Sequence, residues 1–157
     1  MALVCKSGCS KKILFNTMST GPNFICIGTQ KGGTTALMRY LNVIDNVKCY
    51  SELHHFDNCI SLVEKRGRSV LTDSEYMDMF NTNSTRYTGE VTPSYMLIPS
   101  ALESIKKLCP DVKIIILLRE PISRCISQYN MDYTKNNIKV DPDVMINRML
   151  QDVDIHH

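Results

Sequence analysis

No apolar run in the 157-residue chain exceeds five residues, the length reached at Ile114-Ile115-Ile116-Leu117-Leu118. A membrane-spanning helix needs about 20, so no span is expected. From Met1 to Phe24 there is likewise no apolar stretch that could serve as the core of a secretion signal. Neither sign of charge is in excess: 18 Lys and Arg against 16 Asp and Glu leave a formal net charge of +2. A strong basic field of the kind that gathers nucleic acid is therefore missing, no nucleic-acid partner is expected, and any bound anion must be held by locally placed groups. Cysteine supplies no metal framework. The seven residues are odd in number and irregularly spaced, and Cys5 and Cys9 have no second pair at zinc-ligand spacing. Reduced thiols in a cytoplasmic setting are the resulting expectation, with Cys26 and Cys109 as core residues. The sequon Asn83-Ser84-Thr85 would matter only in a secretory compartment. There is no internal repeat and no low-complexity tract.

What remains is the composition of an ordinary globular domain. Hydrophobic residues at 43% and charged residues at 22% exclude a wholly disordered chain and a collagen-like repeat. A chain of this length should bury roughly 68–70% of its unfolded surface. Residues 1–22 read as a loose leader ending at Gly21-Pro22, and residues 23–157 as the folded domain.

Hydrophobic periodicity then orders the elements. Asn23 to Gly28 is a short apolar run ending in glycine and reads as a buried strand. Leu37, Tyr40, Leu41 and Ile44 mark one face of a helix starting at Thr34. Val47 to Tyr50 is a second strand. Residues 51–72 read as a long loop with Glu52, His54, His55 and a basic patch at 65–68, most simply a solvated charge run. Capping boxes at Thr72–Glu75 and Ser100–Glu103 open two further helices, and Tyr87 to Val91 is a third strand. Val112 to Leu118 is apolar apart from Lys113, and that character suggests a strand buried on both faces. Pro121 fits the first position of a helix through Ile122, Cys125, Ile126 and Tyr129, and Asp141-Pro142 starts a last one. Strands alternating with helices imply an α/β fold, a P-loop-like three-layer domain with a mainly parallel sheet.

In such a sheet, ligands bind at the carboxyl ends of the strands. The first strand ends in Gly28-Thr29-Gln30-Lys31-Gly32-Gly33-Thr34-Thr35. A loop that opens a helix offers backbone N–H groups and the positive end of the helix dipole to an anion. Lys31 adds a mobile positive charge, and Thr34 and Thr35 add hydroxyl donors, so a phosphate cradle is the natural reading. A Walker A loop is excluded, because Lys31 precedes the glycine pair instead of following it. The fourth strand ends at Arg119, followed by Ser123, Arg124 and Ser127. Arg119 could hold a phosphate in a bidentate way, or it could simply pair with Glu120 or another carboxylate.

These residues carry a resemblance. Phe24 to Leu41 resembles the 5′-phosphosulfate-binding loop of sulfotransferases that use 3′-phosphoadenosine 5′-phosphosulfate (PAPS), and Ile114 to Tyr129 resembles their 3′-phosphate-binding segment. Glu52-Leu53-His54-His55-Phe56-Asp57 is similar to the Lys-Glu-x-His-Phe-Phe-Asp motif of the branch acting on heparan sulfate and related carbohydrates. Gly89 to Tyr95 is similar to that branch's Glu-Lys-Thr-Pro-x-Tyr motif. The resemblance implies that Lys31, Gly32, Gly33, Thr34 and Thr35 hold the 5′-phosphosulfate, and that Arg119 and Ser127 hold the 3′-phosphate. It makes Lys31, Glu52 and His54 the catalytic residues: Glu52 as the base toward the acceptor hydroxyl or amine, His54 to assist or to position the acceptor, Lys31 on the leaving nucleotide. No metal is required by this scheme. Ser51 and Val91 stand where the branch often has Lys, which implies a different acceptor or a weaker activity.

The implied function is sulfuryl transfer from PAPS to a carbohydrate of the heparan sulfate kind. The alternatives are a truncated, non-catalytic nucleotide-binding relative and, behind it, a P-loop kinase or NTPase. The family domain continues beyond the 3′-phosphate segment, so the domain here reads as C-terminally incomplete. Relatives of this branch commonly work in the Golgi lumen, the alternative to the cytoplasmic expectation.

Overall fold

The computed structural model describes residues 21–57, 69–82, 85–135 and 139–153, the last six of these as backbone only. The basic patch at 65–68, most of the leader and the sequon asparagine fall outside the described residues. The chain divides into two compact units, the second beginning at Glu120. The first unit runs β1 (Phe24–Gly28), α1 (Thr34–Leu41), β2 (Val47–Ser51), α2 (Asp73–Asp78), β3 (Tyr87–Val91), a single 3₁₀ turn (Tyr95–Leu97), α3 (Pro99–Leu108) and β4 (Lys113–Ile116). The second unit holds α4 (Pro121–Thr134) and α5 (Pro142–Val153).

The four strands form one sheet in the order β2-β3-β1-β4, and every pairing is parallel. This is the α/β architecture that the alternation of strand and helix signals implies. Side-chain alternation along each strand builds two cores. Ile25 and Ile27 of β1 face a cluster with Leu53, Phe56, Tyr76, Tyr95, Ala101 and Ile105. Cys26 points the other way, to Cys49, Val91 and the α1 residues Leu37 and Leu41. Helices therefore cover both faces, which is why these strands read as continuous apolar runs. Cys26 and Cys109 are buried, as expected.

Three sequence expectations are corrected. β4 is not buried on both faces: it is the edge of the sheet among the described strands, and Ile114 and Ile116 are 45% and 41% exposed. An apolar run reports what a strand can bury, not its place in the strand order. The helix expected to be capped by Ser100 starts earlier, with Ile98 as N-cap and Pro99 at the first helical position, and no side chain caps it. The φ of proline, already fixed near helical values, selects that start over the serine. Finally, α1 ends at Leu41, so Ile44 falls in the following turn and is exposed together with Tyr40.

The other boxed helix forms as read. Thr72 Oγ1 accepts the Glu75 N–H, and the Glu75 carboxylate accepts the Thr72 N–H in return. In the second unit Pro121 opens α4 as expected. Within that unit the Tyr129 hydroxyl donates to the Val140 carbonyl, while Ile122 and Ile126 remain exposed.

Candidate active site

The register sets three strand ends level. Cys26 pairs with Val91, and Val91 with Ser51, so the chain leaves β1, β3 and β2 at one edge of the sheet. β3 separates β1 from β2, so the loops after them start two strand spacings apart, roughly 10 Å.

The loop after β1 is tied to β4 before it turns. Thr29 N–H donates to the Leu117 carbonyl (2.8 Å), and Gly32 N–H returns to the Thr29 carbonyl (2.9 Å). A Cβ on Gly32 would lie 2.8 Å from both of those carbonyl oxygens, so only glycine fits. Gly33, the N-cap of α1, has φ of 98° and faces open space. The first intrahelical bond runs from Leu37 N–H to the Gly33 carbonyl. The N–H groups of Thr34, Thr35 and Ala36 precede it and point out of the helix start. No acidic residue occupies this first turn. Thr34 is buried and Thr35 exposed. Room beside Gly33, outward N–H groups and a positive dipole end together suit a phosphate or sulfate group.

Arg119, exposed beyond the end of β4, donates from Nη1 to the Lys31 carbonyl at 3.1 Å. It is thus brought to the cradle loop. That bond uses one of the five guanidinium N–H donors. The Glu120 carboxylate caps α4, accepting from the Ile122 and Ser123 N–H groups at 2.8 and 2.7 Å. Ser127 lies on α4, half-buried within the second unit.

The segment after β2 begins by extending the ladder, with Glu52 N–H donating to the Val91 carbonyl (2.8 Å). It then turns sharply: Glu52 and His54 have φ of 48° and 55°. His54 is buried, and its Nδ1 lies 2.7 Å from Asp57 Oδ2, an oxygen that also accepts the Ser94 hydroxyl. The carboxylate can only accept, so Nδ1–H donates to it, and Nε2 is buried without a hydrogen-bond partner. Asp57 and Ser94 fix the His54 ring. Their signal in the sequence was the i, i+3 spacing of His54 and Asp57, to which no role had been attached.

Backbone strain marks the same residues. Among the described residues, four non-glycine positions have positive φ: Lys31, Asn46, Glu52 and His54. Asn46 sits in a turn, where asparagine is at home. The other three are the catalytic candidates. Each left-handed residue costs roughly 1–2 kcal/mol, and such positions cluster at functional sites.

Beneath this segment lies Glu90 of β3, fully buried. It accepts hydrogen bonds from Tyr76 (2.6 Å), Thr92 (2.8 Å) and Tyr95 (3.3 Å). Burial pushes the Glu90 carboxyl above the usual carboxylate range, and its hydrogen-bond donors work against that rise. Burial, then the neighbouring Glu90, pushes both tyrosine hydroxyls up, so they stay protonated and donate. In the sequence Glu90 stands within the Gly89–Tyr95 motif, and the signal it offers is an acidic residue in an otherwise apolar strand end. Among the described residues, no group of three His, Cys, Asp or Glu side chains is placed to hold a metal ion, and no helix is long and apolar enough to cross a membrane.

Comparison with known proteins follows the same lines. The family model described as "Sulfotransferase family" matches residues 22–154. Human heparan sulfate glucosamine 3-O-sulfotransferase 6 is 33% identical over 115 residues, which cover 73% of this chain and 31% of that protein. Human heparan sulfate glucosamine 3-O-sulfotransferase 5 is 35% identical over 109 residues, covering 69% and 30%. The chain thus spans about a third of the length of these curated relatives. Among solved structures, a sulfotransferase from Alicyclobacillus acidocaldarius superposes with a TM-score of 0.70 at 23% identity, covering 87% of this chain and 60% of that one. At that identity the likeness concerns the fold.

Proposed function

Because this chain belongs to the sulfotransferase family, we propose that it binds PAPS at the β1–α1 cradle and transfers its sulfuryl group to a hydroxyl or amine of a heparan sulfate-like carbohydrate. The observation that carries this reading is the arrangement at one sheet edge. A glycine cradle held open for an anion starts two strands from a strained segment bearing a carboxylate and a buried, carboxylate-oriented histidine.

In this reading Gly32, Gly33 and the N–H groups of Thr34 and Thr35 hold the 5′-phosphosulfate. Lys31 stands at the leaving side, where charge grows on the oxygen between sulfur and phosphorus. The sulfur–oxygen bond to the nucleotide breaks as the bond to the acceptor forms. The acceptor proton passes to the Glu52 carboxylate, and 3′-phosphoadenosine 5′-phosphate leaves. Such a transfer rests on in-line alignment and charge stabilisation, with base catalysis typically worth 10²–10⁴-fold. His54, fixed by Asp57, assists or positions the acceptor, the role the resemblance gives it. Arg119 takes the 3′-phosphate, and the resemblance assigns Ser127 to the same group.

A second reading, nucleotide binding without transfer, is favoured by Ser51 and Val91. Val91 is buried against α1, an apolar site with no charge to offer. Titration with 3′-phosphoadenosine 5′-phosphate, and separately with ATP and Mg²⁺, tests the nucleotide. The bisphosphate should bind more tightly and lose affinity in Arg119→Ala; a preference for ATP with Mg²⁺ would sink the reading. Transfer of labelled sulfate to desulfated heparan then tests catalysis. Glu52→Ala should remove turnover and keep bisphosphate binding. Binding by the parent without transfer selects the second reading.

A further inference from the structure

The segment that carries Glu52 and His54 has a problem in its backbone. Its left-handed turns take the N–H groups of Leu53, His55 and Phe56 out of the sheet ladder, and Leu53 and Phe56 are buried. A buried amide left without a partner is costly, because it gives up water and gains no acceptor in return. All three are met in one place. The Leu53 amide lies close enough to Glu90 to work against the rise of its carboxyl. The His55 N–H donates to the Tyr95 hydroxyl at 2.9 Å, and the Phe56 N–H reaches the same oxygen at 3.5 Å. With two N–H groups arriving at it, the Tyr95 hydroxyl directs its own proton to Glu90, 3.3 and 3.4 Å from the two carboxyl oxygens. The remaining capacity of Glu90 is filled by Tyr76 and Thr92, and the Tyr76 ring stacks on His55 at 4.3 Å and 9°. The amides of His55 and Phe56, which follow the second left-handed turn of this segment, therefore end through Tyr95 on one buried carboxyl.

We propose that Glu90 and Tyr95 are positioning residues for sulfuryl transfer, a buried template that holds residues 52–56 in the conformation that sets Glu52 and His54. Its catalytic consequence rests on the transfer reading above. Neither residue needs to touch substrate. The two carboxyl oxygens of Glu90 together offer about four lone-pair sites, and the Tyr76, Thr92 and Tyr95 hydroxyls all converge on them. A hydrophobic replacement would fill the volume and leave three hydroxyls without an acceptor. A glutamine would aim an NH₂ group at hydroxyls that are themselves donating.

The test uses the full chain with Tyr95→Phe, which keeps the ring and removes the hydroxyl, and Glu90→Gln. Amide hydrogen exchange should quicken by about tenfold or more at Leu53, His55 and Phe56 in both variants and stay at the parent rate for Ile25, Cys26 and Ile27 in β1. Affinity for 3′-phosphoadenosine 5′-phosphate should hold, as should the KM for PAPS. Turnover per bisphosphate-binding site should fall roughly tenfold to a hundredfold, the scale of a small misplacement of reacting groups. Exchange that rises evenly through the sheet, with turnover per binding site preserved, would show a merely structural role and overturn the proposal. So would parental exchange at residues 53–56 in both variants. If the parent binds the bisphosphate and transfers nothing, the transfer reading fails, and the exchange result still decides whether Glu90 and Tyr95 hold the segment. Should Glu90→Gln not fold, Tyr95→Phe decides alone.

Discussion

Gly32 and Gly33 are neighbours required for different physical reasons, and the difference is measurable. At Gly32 the obstacle is contact: two carbonyl oxygens lie 2.8 Å from where a Cβ would go. At Gly33 space is open and the obstacle is the φ of 98°. Gly32→Ala should force the Thr29 and Leu117 carbonyls apart and disrupt the cradle, abolishing bisphosphate binding. Gly33→Ala should cost about 1–2 kcal/mol of backbone strain, so the variant folds and binds with reduced affinity. Calorimetric titration of both variants checks the ranking; equal affinities would contradict it. The glycine pair was legible in the sequence as a cradle. The separate reasons were not, because the clash at Gly32 involves Leu117, 85 positions away in the chain.

At the scale of elements, α2 shows how local chemistry serves the site. Its capping box is complete, and its one buried residue, Tyr76, carries the hydroxyl that donates to Glu90. Thr72→Ala should remove the cap at about 1 kcal/mol, visible as a fall in melting temperature of roughly 2–4 °C. The box also has a pH signature. Bonds from the Thr72 backbone and side chain hold the Glu75 carboxyl below its ordinary value. A depressed folded value means that this contribution is present above the unfolded value and is lost as pH falls through the folded one. Melting curves of parent and Thr72→Ala should therefore converge in acid; a gap that widens below the carboxylate range would contradict the assignment. A second apparent box, at Ser100, was legible and misleading. The same four-residue pattern occurs one residue after a proline, and Pro99 fixes the helix start ahead of it. β4 misleads in the same way, since its apolar run resembles a central strand and the order of the described strands leaves it at the edge.

At the scale of the whole molecule, a net charge of +2 gives little long-range pull on an anion, so the proposed nucleotide site must rely on groups close at hand, such as Arg119 where it meets the Lys31 carbonyl. Binding of the bisphosphate to the folded state alone should stabilise the chain by about 2.7 kcal/mol at a hundred times its dissociation constant. A thermal shift with 3′-phosphoadenosine 5′-phosphate, diminished in Arg119→Ala, is the expected outcome. Equal shifts in parent and variant would remove Arg119 from the nucleotide site. Alternating strand and helix signals were enough to read the fold class, and the Gly-rich loop and the fourth strand end to nominate Lys31 and Arg119, because those signals are local in the chain; Glu52 and His54 were nominated by the resemblance of their segment to a family motif. The His54–Asp57 pair and the left-handed turns at Glu52 and His54 could not be read that way. They depend on which strand ends lie level and on which side chains from β3 and the 3₁₀ turn meet beneath the segment. Glu90 makes the point most sharply. In the sequence it is an acidic residue in an apolar strand; once folded, the hydroxyls of Tyr76, Thr92 and Tyr95 converge on it from three places in the chain. A buried carboxyl is tolerable only when such donors surround it, and that condition belongs to packing, not to residue order.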